Sequence, residues 1–118
     1  MSFQFQGLKV WEKAITLTDL LIGIADSLPQ KYQFSFGEQL RRAALSIPNN
    51  IAEASGRKTV KDSSNFYSIS RGSVYESINI LVVLNNRKLL KIGESEKKMI
   101  NGLAEEVCKM LTGLIKRK

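Results

Sequence analysis

The sequence predicts an all-α protein, an up-down-up-down antiparallel four-helix bundle whose second helix is kinked at Pro48. Three observations predict it. Apolar residues recur every three to four positions in four separate stretches, the signature of amphipathic helices. Strand-like alternation is absent, and the only prolines are Pro29 and Pro48. The connections between the stretches are short, which makes consecutive helices antiparallel neighbours. The 118 residues form one domain, 1–118, long enough to bury a core of its own.

Helix 1 runs from Leu8 to Leu28, with Pro29 as its stop. Val10, Ala14, Leu17, Leu21, Ile24 and Leu28 make one apolar seam. Leu8, Trp11, Ile15, Thr18, Ile22 and Ala25 make a second seam beside it. An outer bundle helix needs one stripe about 100° wide. Two adjacent seams imply a wider buried arc, supplied by another subunit or by a fully packed monomer core.

Helix 2 runs from Phe36 to Arg57, with Leu40, Ala44, Ile47, Ile51 and Ala54 as its seam. Pro48 removes one backbone donor and crowds the carbonyl of Ala44. The seam keeps its phase across Pro48, so the reading is one bent helix, with two short helices as the alternative. A side chain such as Ser46, or a water, is expected to serve the Ala44 carbonyl. Gly56 sits near the C-terminal end, and Arg57–Thr59 form the connection.

Helix 3 starts near Asp62 or Ser63, either of which can cap it, and reaches Leu89. Phe66, Ile69, Val74, Ile78, Leu81 and Leu84 supply its apolar side. Ser70, Gly72, Ser73 and Ser77 make one stretch small enough for close helix approach. Gly72 costs about 1 kcal/mol inside a helix, so close packing against Ile47 and Pro48 is expected to offset it. Helix 4 starts after Gly93, with Ser95 as a possible cap, and runs to the terminus on Ile100, Leu103, Val107, Met110 and Leu114. Cys108 widens that face as a small core hydrophobe.

Composition excludes much chemistry. There is no His and one Cys, which removes a Ser-His triad, a His-ligated metal, an internal disulfide and any multi-Cys metal centre. No metal or cofactor is implied. The longest apolar run, Ile80 to Leu84, is far short of the ~20 residues that cross a bilayer. The opening residues carry no basic-then-apolar leader pattern, so a cytoplasmic protein with no membrane partner is expected. The net charge of +7 favours acidic partners, chiefly RNA or DNA.

Two groups of polar residues stand out. Gln39, Arg42, Ser46, Asn50, Glu53 and Arg57 line one face of helix 2, opposite its seam. A solvated outer face has the same composition. This one mixes both charges with amides, and Glu53 precedes Arg57 by the favourable four-residue interval. Antiparallel pairing about Val60 sets Glu76 opposite Arg42, which predicts a salt bridge between them. Glu53, Glu76 and Arg42 are also the residues an enzyme would use here, a reading that lacks a metal-ligand set or a phosphate loop to support it. The second group gathers where one end of the bundle collects the start of helix 1, the 2–3 turn and the end of helix 4. Lys9, Lys13, Arg57, Lys58, Lys61, Lys116, Arg117 and Lys118 stand there against Glu12, Glu53 and Asp62, a local excess of five positive charges. The opposite end has an excess of two. Such a basic end suits phosphate contacts that are sequence-independent and salt-sensitive. No aromatic stacking platform is evident among the basic residues, so binding would be directed at the backbone.

The string RRAALSIPNNIAEASGR, followed by NFYSISRGSVYES, resembles the four-helix bundle family of 23S rRNA intervening sequence proteins. The matching positions are Gln39, Arg42, Ala43, Ala44, Ser46, Ile47, Pro48, Asn50, Ile51, Ala52, Glu53 and Arg57, then Phe66, Arg71, Gly72, Ser73 and Glu76. The opening LKVWEKA, Leu8 to Ala14, is also similar to the family's start. Ala54 stands where the family pattern usually has Gly, which predicts looser packing there. The resemblance implies a bacterial protein and a ring-shaped homopentamer, in a family for which no enzymatic activity is established, so a non-enzymatic protein is expected. Some relatives are encoded within large-subunit rRNA genes. The accessory variability protein of diversity-generating retroelements shares the architecture, which implies nucleic-acid binding and a reverse transcriptase as partner. A structural module that docks another protein is the alternative.

Overall fold

Four helices form a square bundle in a computed structural model that describes residues 2–117. They are α1 (Lys9–Asp26), α2 (Glu38–Ser55), α3 (Val60–Asn86) and α4 (Glu94–Lys116). Among the described residues there is no strand. α1 and α3 each pack against α2 and α4, and the molecule measures 43 × 25 × 25 Å. The predicted class holds: the chain is an all-α four-helix bundle, and the cross-helix contacts run in antiparallel order. Ser63, Ser70 and Ser73 of α3 meet Ala54, Ile47 and Ser46 of α2 in turn.

Local chemistry sets the ends. A short 3-10 turn, Gln4–Gly7, precedes α1, and Phe5 packs edge-on to Trp11 at 5.4 Å. That turn has no helical periodicity and was not legible as an element. α3 starts earlier than expected, because Thr59 and not Asp62 or Ser63 caps it. The Thr59 hydroxyl accepts the Asp62 N–H at 3.1 Å. Gly93, not Ser95, occupies the N-cap of α4. α3 stops at Asn86, short of Leu89, in a Schellman closure: the Leu89 N–H reaches the Leu84 carbonyl and the Lys88 N–H the Asn85 carbonyl. Lys88 takes the left-handed position at φ 60°, where glycine is usual.

The first seam of α1 is buried throughout. In the second seam Thr18 and Ala25 are buried, while Leu8, Trp11, Ile15 and Ile22 are half-buried. The protomer alone therefore covers only part of the wide apolar arc.

α2 passes through Pro48 without interruption, so the two-helix alternative falls away. The Ala44 carbonyl, whose i+4 donor Pro48 removes, is not served by the Ser46 hydroxyl. The Thr18 hydroxyl of α1, 3% exposed, donates to it at 3.0 Å. On the other flank, Ser70 donates to the Ile47 carbonyl and Ser63 to that of Ala54, both at 2.8 Å. Among the described residues no buried side-chain polar atom is left unpaired.

Three expectations about α3 and its contact with α2 need correction. Ile69 is 51% exposed instead of core, because the face turned to α2 is lined by serines whose hydroxyls bond its carbonyls. Gly72 is exposed, and a Cβ there would meet nothing within 4 Å, so close packing inside the protomer does not explain it. Ala54 is fully buried with its carbonyl bonded, so its methyl loosens nothing.

Thr18→Val keeps the volume and removes the donor. It is expected to destabilise the protein by about 1–3 kcal/mol, read as a lower urea midpoint, while Thr18→Ser stays close to the parent. An unchanged midpoint for the valine variant would show that the Ala44 carbonyl needs no partner.

Candidate nucleic-acid interface

The antiparallel order gathers the start of α1, the α2–α3 turn and the end of α4 at one end of the bundle. Cross-links hold these segments together. Ser64 donates to the Ile115 carbonyl at 3.3 Å, Arg71 to the Thr112 hydroxyl at 3.0 Å, and Lys13 pairs with Glu106 at 3.1 Å. The predicted basic residues fall into two sets. Lys13, Arg57 and Arg117 are engaged: Lys13 by Glu106, Arg57 by Glu53 and by the Phe66 ring at 4.4 Å, Arg117 by the Tyr67 ring at 5.6 Å. Lys9, Lys58, Lys61 and Lys116 are exposed and in no ion pair among the described residues. Lys118 lies outside the described residues. Aromatic rings do stand at this end, beneath the arginines. Tyr67 is buried, and Phe66, half-buried, lies beneath Arg57. They anchor arginines and leave no free ring face for a base.

The polar stripe of α2 divides. Ser46 and Asn50 belong to the α2–α3 boundary: Asn50 Nδ2 donates to the Ser46 carbonyl and hydroxyl at 2.8 and 2.9 Å, and Ser73 Oγ lies 2.7 Å from Ser46 Oγ. Gln39, Arg42 and Glu53 are exposed. The expected Arg42–Glu76 bridge does not form. The register is right, since Ser46 meets Ser73, but both side chains point outward, and Arg42 pairs with Glu38 one turn back at 3.9 Å. Arg71 sits on the α4 side of α3, away from the stripe. The apolar depression between α3 and α4, lined by residues such as Ile78, Leu81 and Ile100, includes neither Glu53 nor Glu76.

The opposite end holds a group that the sequence reading passed over. Its signal was the alternation of aromatic and polar residues in KYQFSFG, Lys31 to Gly37. Lys31 lies 5.5 Å from the Tyr32 ring centre, and Arg87 lies 5.9 and 5.5 Å from those of Tyr32 and Phe36. The guanidinium of Arg87, then the charge of Lys31, pulls the Tyr32 phenol below its ordinary range. Cys108 is half-buried at the α3–α4 groove, not in the core. Burial pushes its thiol up, and the charge of Arg71 opposes this only in part.

A family model described as 23S rRNA-intervening sequence protein matches residues 6–113. The fold is similar to a solved structure of a protein with unknown function from the S23 ribosomal protein family of Bacteroides thetaiotaomicron VPI-5482. The TM-score is 0.79 at 23% identity, over 92% of this chain and 99% of that one. No curated protein matches the sequence.

The raised thiol sets a reactivity profile. At neutral pH Cys108 stays protonated, so alkylation in the folded protein is expected to be slower than for a free thiol and to climb about tenfold per pH unit toward pH 9. Mass spectrometry of iodoacetamide-treated samples reads this; labelling as fast as in urea would contradict it.

Proposed function

We propose, from the premise that the chain belongs to the 23S rRNA-intervening sequence protein family, that it is a non-enzymatic homo-oligomer that binds the backbone of RNA or DNA through a basic rim. The observation that carries the reading is the set of exposed cations with no carboxylate partner among the described residues, Lys9, Lys58, Lys61 and Lys116, that three separate segments bring to one end. A ring of copies would repeat that set around one edge, which multiplies phosphate contacts without any base-specific reader. The ring is pentameric in this reading, as the sequence resemblance implies, and acts as an accessory to a reverse transcriptase or an rRNA element. The half-buried Trp11, Ile15 and Ile22 on the outer face of α1, with Leu45 47% exposed on α2, supply the apolar surface for subunit contact. A second reading, docking of another protein, is favoured by Ile69, Tyr75 and Val82, all more than half exposed along α3.

Binding of a generic duplex or structured RNA is expected to weaken steeply with salt, and Lys58→Glu with Lys61→Glu to reduce the salt slope by about one per lost contact. A flat salt response, or no binding at low salt, removes the nucleic-acid reading; retained partner docking in the charge-reversed variant favours the second. Light scattering is expected to give a mass near five protomers, and Ile15→Glu with Ile22→Glu a single one. A lone parent protomer at micromolar concentration would overturn the ring.

A further inference from the structure

We propose that copies of this chain join head to tail, the α1–α2 side of one bundle seated on the α3–α4 side of the next, with Arg42 of one copy paired to Glu76 of its neighbour. The contact rests on the homo-oligomer proposed above and names the two surfaces that build it. A ring larger than a dimer needs two different patches on each protomer. This bundle carries two, on opposite sides of its square. The first lies on α1 and α2. Thr18 bonds the α2 backbone, so Trp11, Ile15 and Ile22, at helical intervals from it, line the α1 flank beside α2. Arg41 bonds Asp26 at the end of α1, so Leu45, four residues on, lines the α2 flank beside α1. Leu45 is 47% exposed, and Arg42, one turn back, is exposed and held only by a long contact to Glu38 at 3.9 Å. The second patch is the apolar depression between α3 and α4. Tyr75, Ala104 and Cys108 line one half, Val82 and Ile100 the other, and Ile78 both. Tyr75 is 68% exposed. The rim of this patch is acidic: Glu76 and Glu105 are exposed and in no ion pair among the described residues.

Register and charge select a second copy as the occupant. Within the protomer Ser46 meets Ser73 across the antiparallel α2–α3 pair, and Lys13 pairs with Glu106 across α1 and α4. Arg42 therefore stands at about the height of Glu76, and Leu45 at that of Tyr75. Trp11 and Ile15 stand at about the heights of Cys108 and Ala104. Rotation about an axis parallel to the bundle moves no atom up or down, so the same heights face each other between copies in such a ring. With the α1–α2 side of one copy against the α3–α4 side of the next, α2 meets α3 and α1 meets α4. Leu45 then lies on Tyr75, Trp11 and Ile15 enter the depression at Cys108 and Ala104, and the Arg42 cation meets the Glu76 carboxylate. Inside one protomer both charges point outward and do not meet. Two identical patches face to face would instead set Arg42 against Arg42, or Glu76 against Glu76, which is repulsive. Gly72, exposed one turn before Glu76 with empty space where a Cβ would stand, leaves room for the neighbouring helix to come close. The same rotation keeps every basic end on one side of the ring.

The test is light scattering over a dilution series. Arg42→Glu alone and Glu76→Arg alone are each expected to weaken assembly by about tenfold or more, and the two changes in one chain to regain the parent mass. All four of these side chains are exposed in the protomer, so circular dichroism is expected to stay that of the parent. Tyr75→Glu with Val82→Glu is expected to give single protomers, as is Ile15→Glu with Ile22→Glu. An equimolar mixture of those two variants is expected to reach the mass of two protomers and no more, because one intact pair of surfaces remains. The proposal is overturned if a single charge change assembles like the parent, if the exchanged pair does not regain the parent mass, or if the Tyr75 and Val82 variant keeps an oligomeric mass. A mixture that stays at one protomer while both variants are folded overturns it as well. A parent that is itself a lone protomer removes the ring and this contact together. An intact oligomer without salt-dependent RNA binding removes only the basic rim, so the two failures give different results.

Discussion

Pro48 removes the helical donor of the Ala44 carbonyl in the middle of α2, and α1 supplies a replacement. The Thr18 hydroxyl reaches across from α1 to the Ala44 carbonyl, and Ser70 reaches from α3 to that of Ile47. An unpaired buried carbonyl costs about 1–3 kcal/mol, more than a typical net hydrogen bond returns. Thr18 removes that cost at Ala44; the Ser70 bond to Ile47, whose i+4 residue Ile51 has its own N–H, is an added contact that fixes the height of α3 against α2. Side chains as short as serine reach a neighbour's backbone only if the helices come close, so the same residues that satisfy α2 also set its spacing from α3. The third contact, Ser63 with Ala54, carries the arrangement to the α2–α3 turn.

That turn is where structure meets the proposed activity. With α2 and α3 held in register, Lys58 and Lys61 project from a tight connection capped by Thr59. The start of α1 and the end of α4 lie at the same end, tied in by Lys13–Glu106 and Ser64–Ile115. The exposed ion pairs among these contacts contribute little stability. Their effect is to divide the cations into engaged and free. Arginines over Phe66 and Tyr67 are committed to packing, and the lysines remain available to phosphate. The two ends of the bundle differ in kind: one carries exposed lysines, the other an exposed ring, Phe34, in a braced turn.

Much of this was legible in the residues. Three- and four-residue spacing located four helices, and the continuous seam through Pro48 argued for one helix there. The register between α2 and α3 followed from the position of the turn. The same register suggested an Arg42–Glu76 bridge that does not exist, because opposite positions need not share a face, and a one-turn pair with Glu38 was nearer. Ile69 misled in a related way: its apolar side chain fitted the helical pattern, but the serines beside it bond the α2 backbone and turn Ile69 outward. Thr59 was missed as a cap because Asp62 and Ser63 are equally good caps by type.

The sequence by itself determined the helix count, the buried seams, the basic balance and the absence of histidine chemistry, since each depends on composition or on local period. Tertiary structure alone decided that the donor for Ala44 comes from Thr18, that Arg57 and Arg117 are spent on aromatic rings, and that Tyr32, Phe36 and Arg87 meet. Thr18 with Ala44, Arg117 with Tyr67 and Arg87 with Phe36 join residues far apart in the chain across a few ångströms. Which distant face lies that close is set by the packing of whole helices, and no single helix carries that information in its own periodicity.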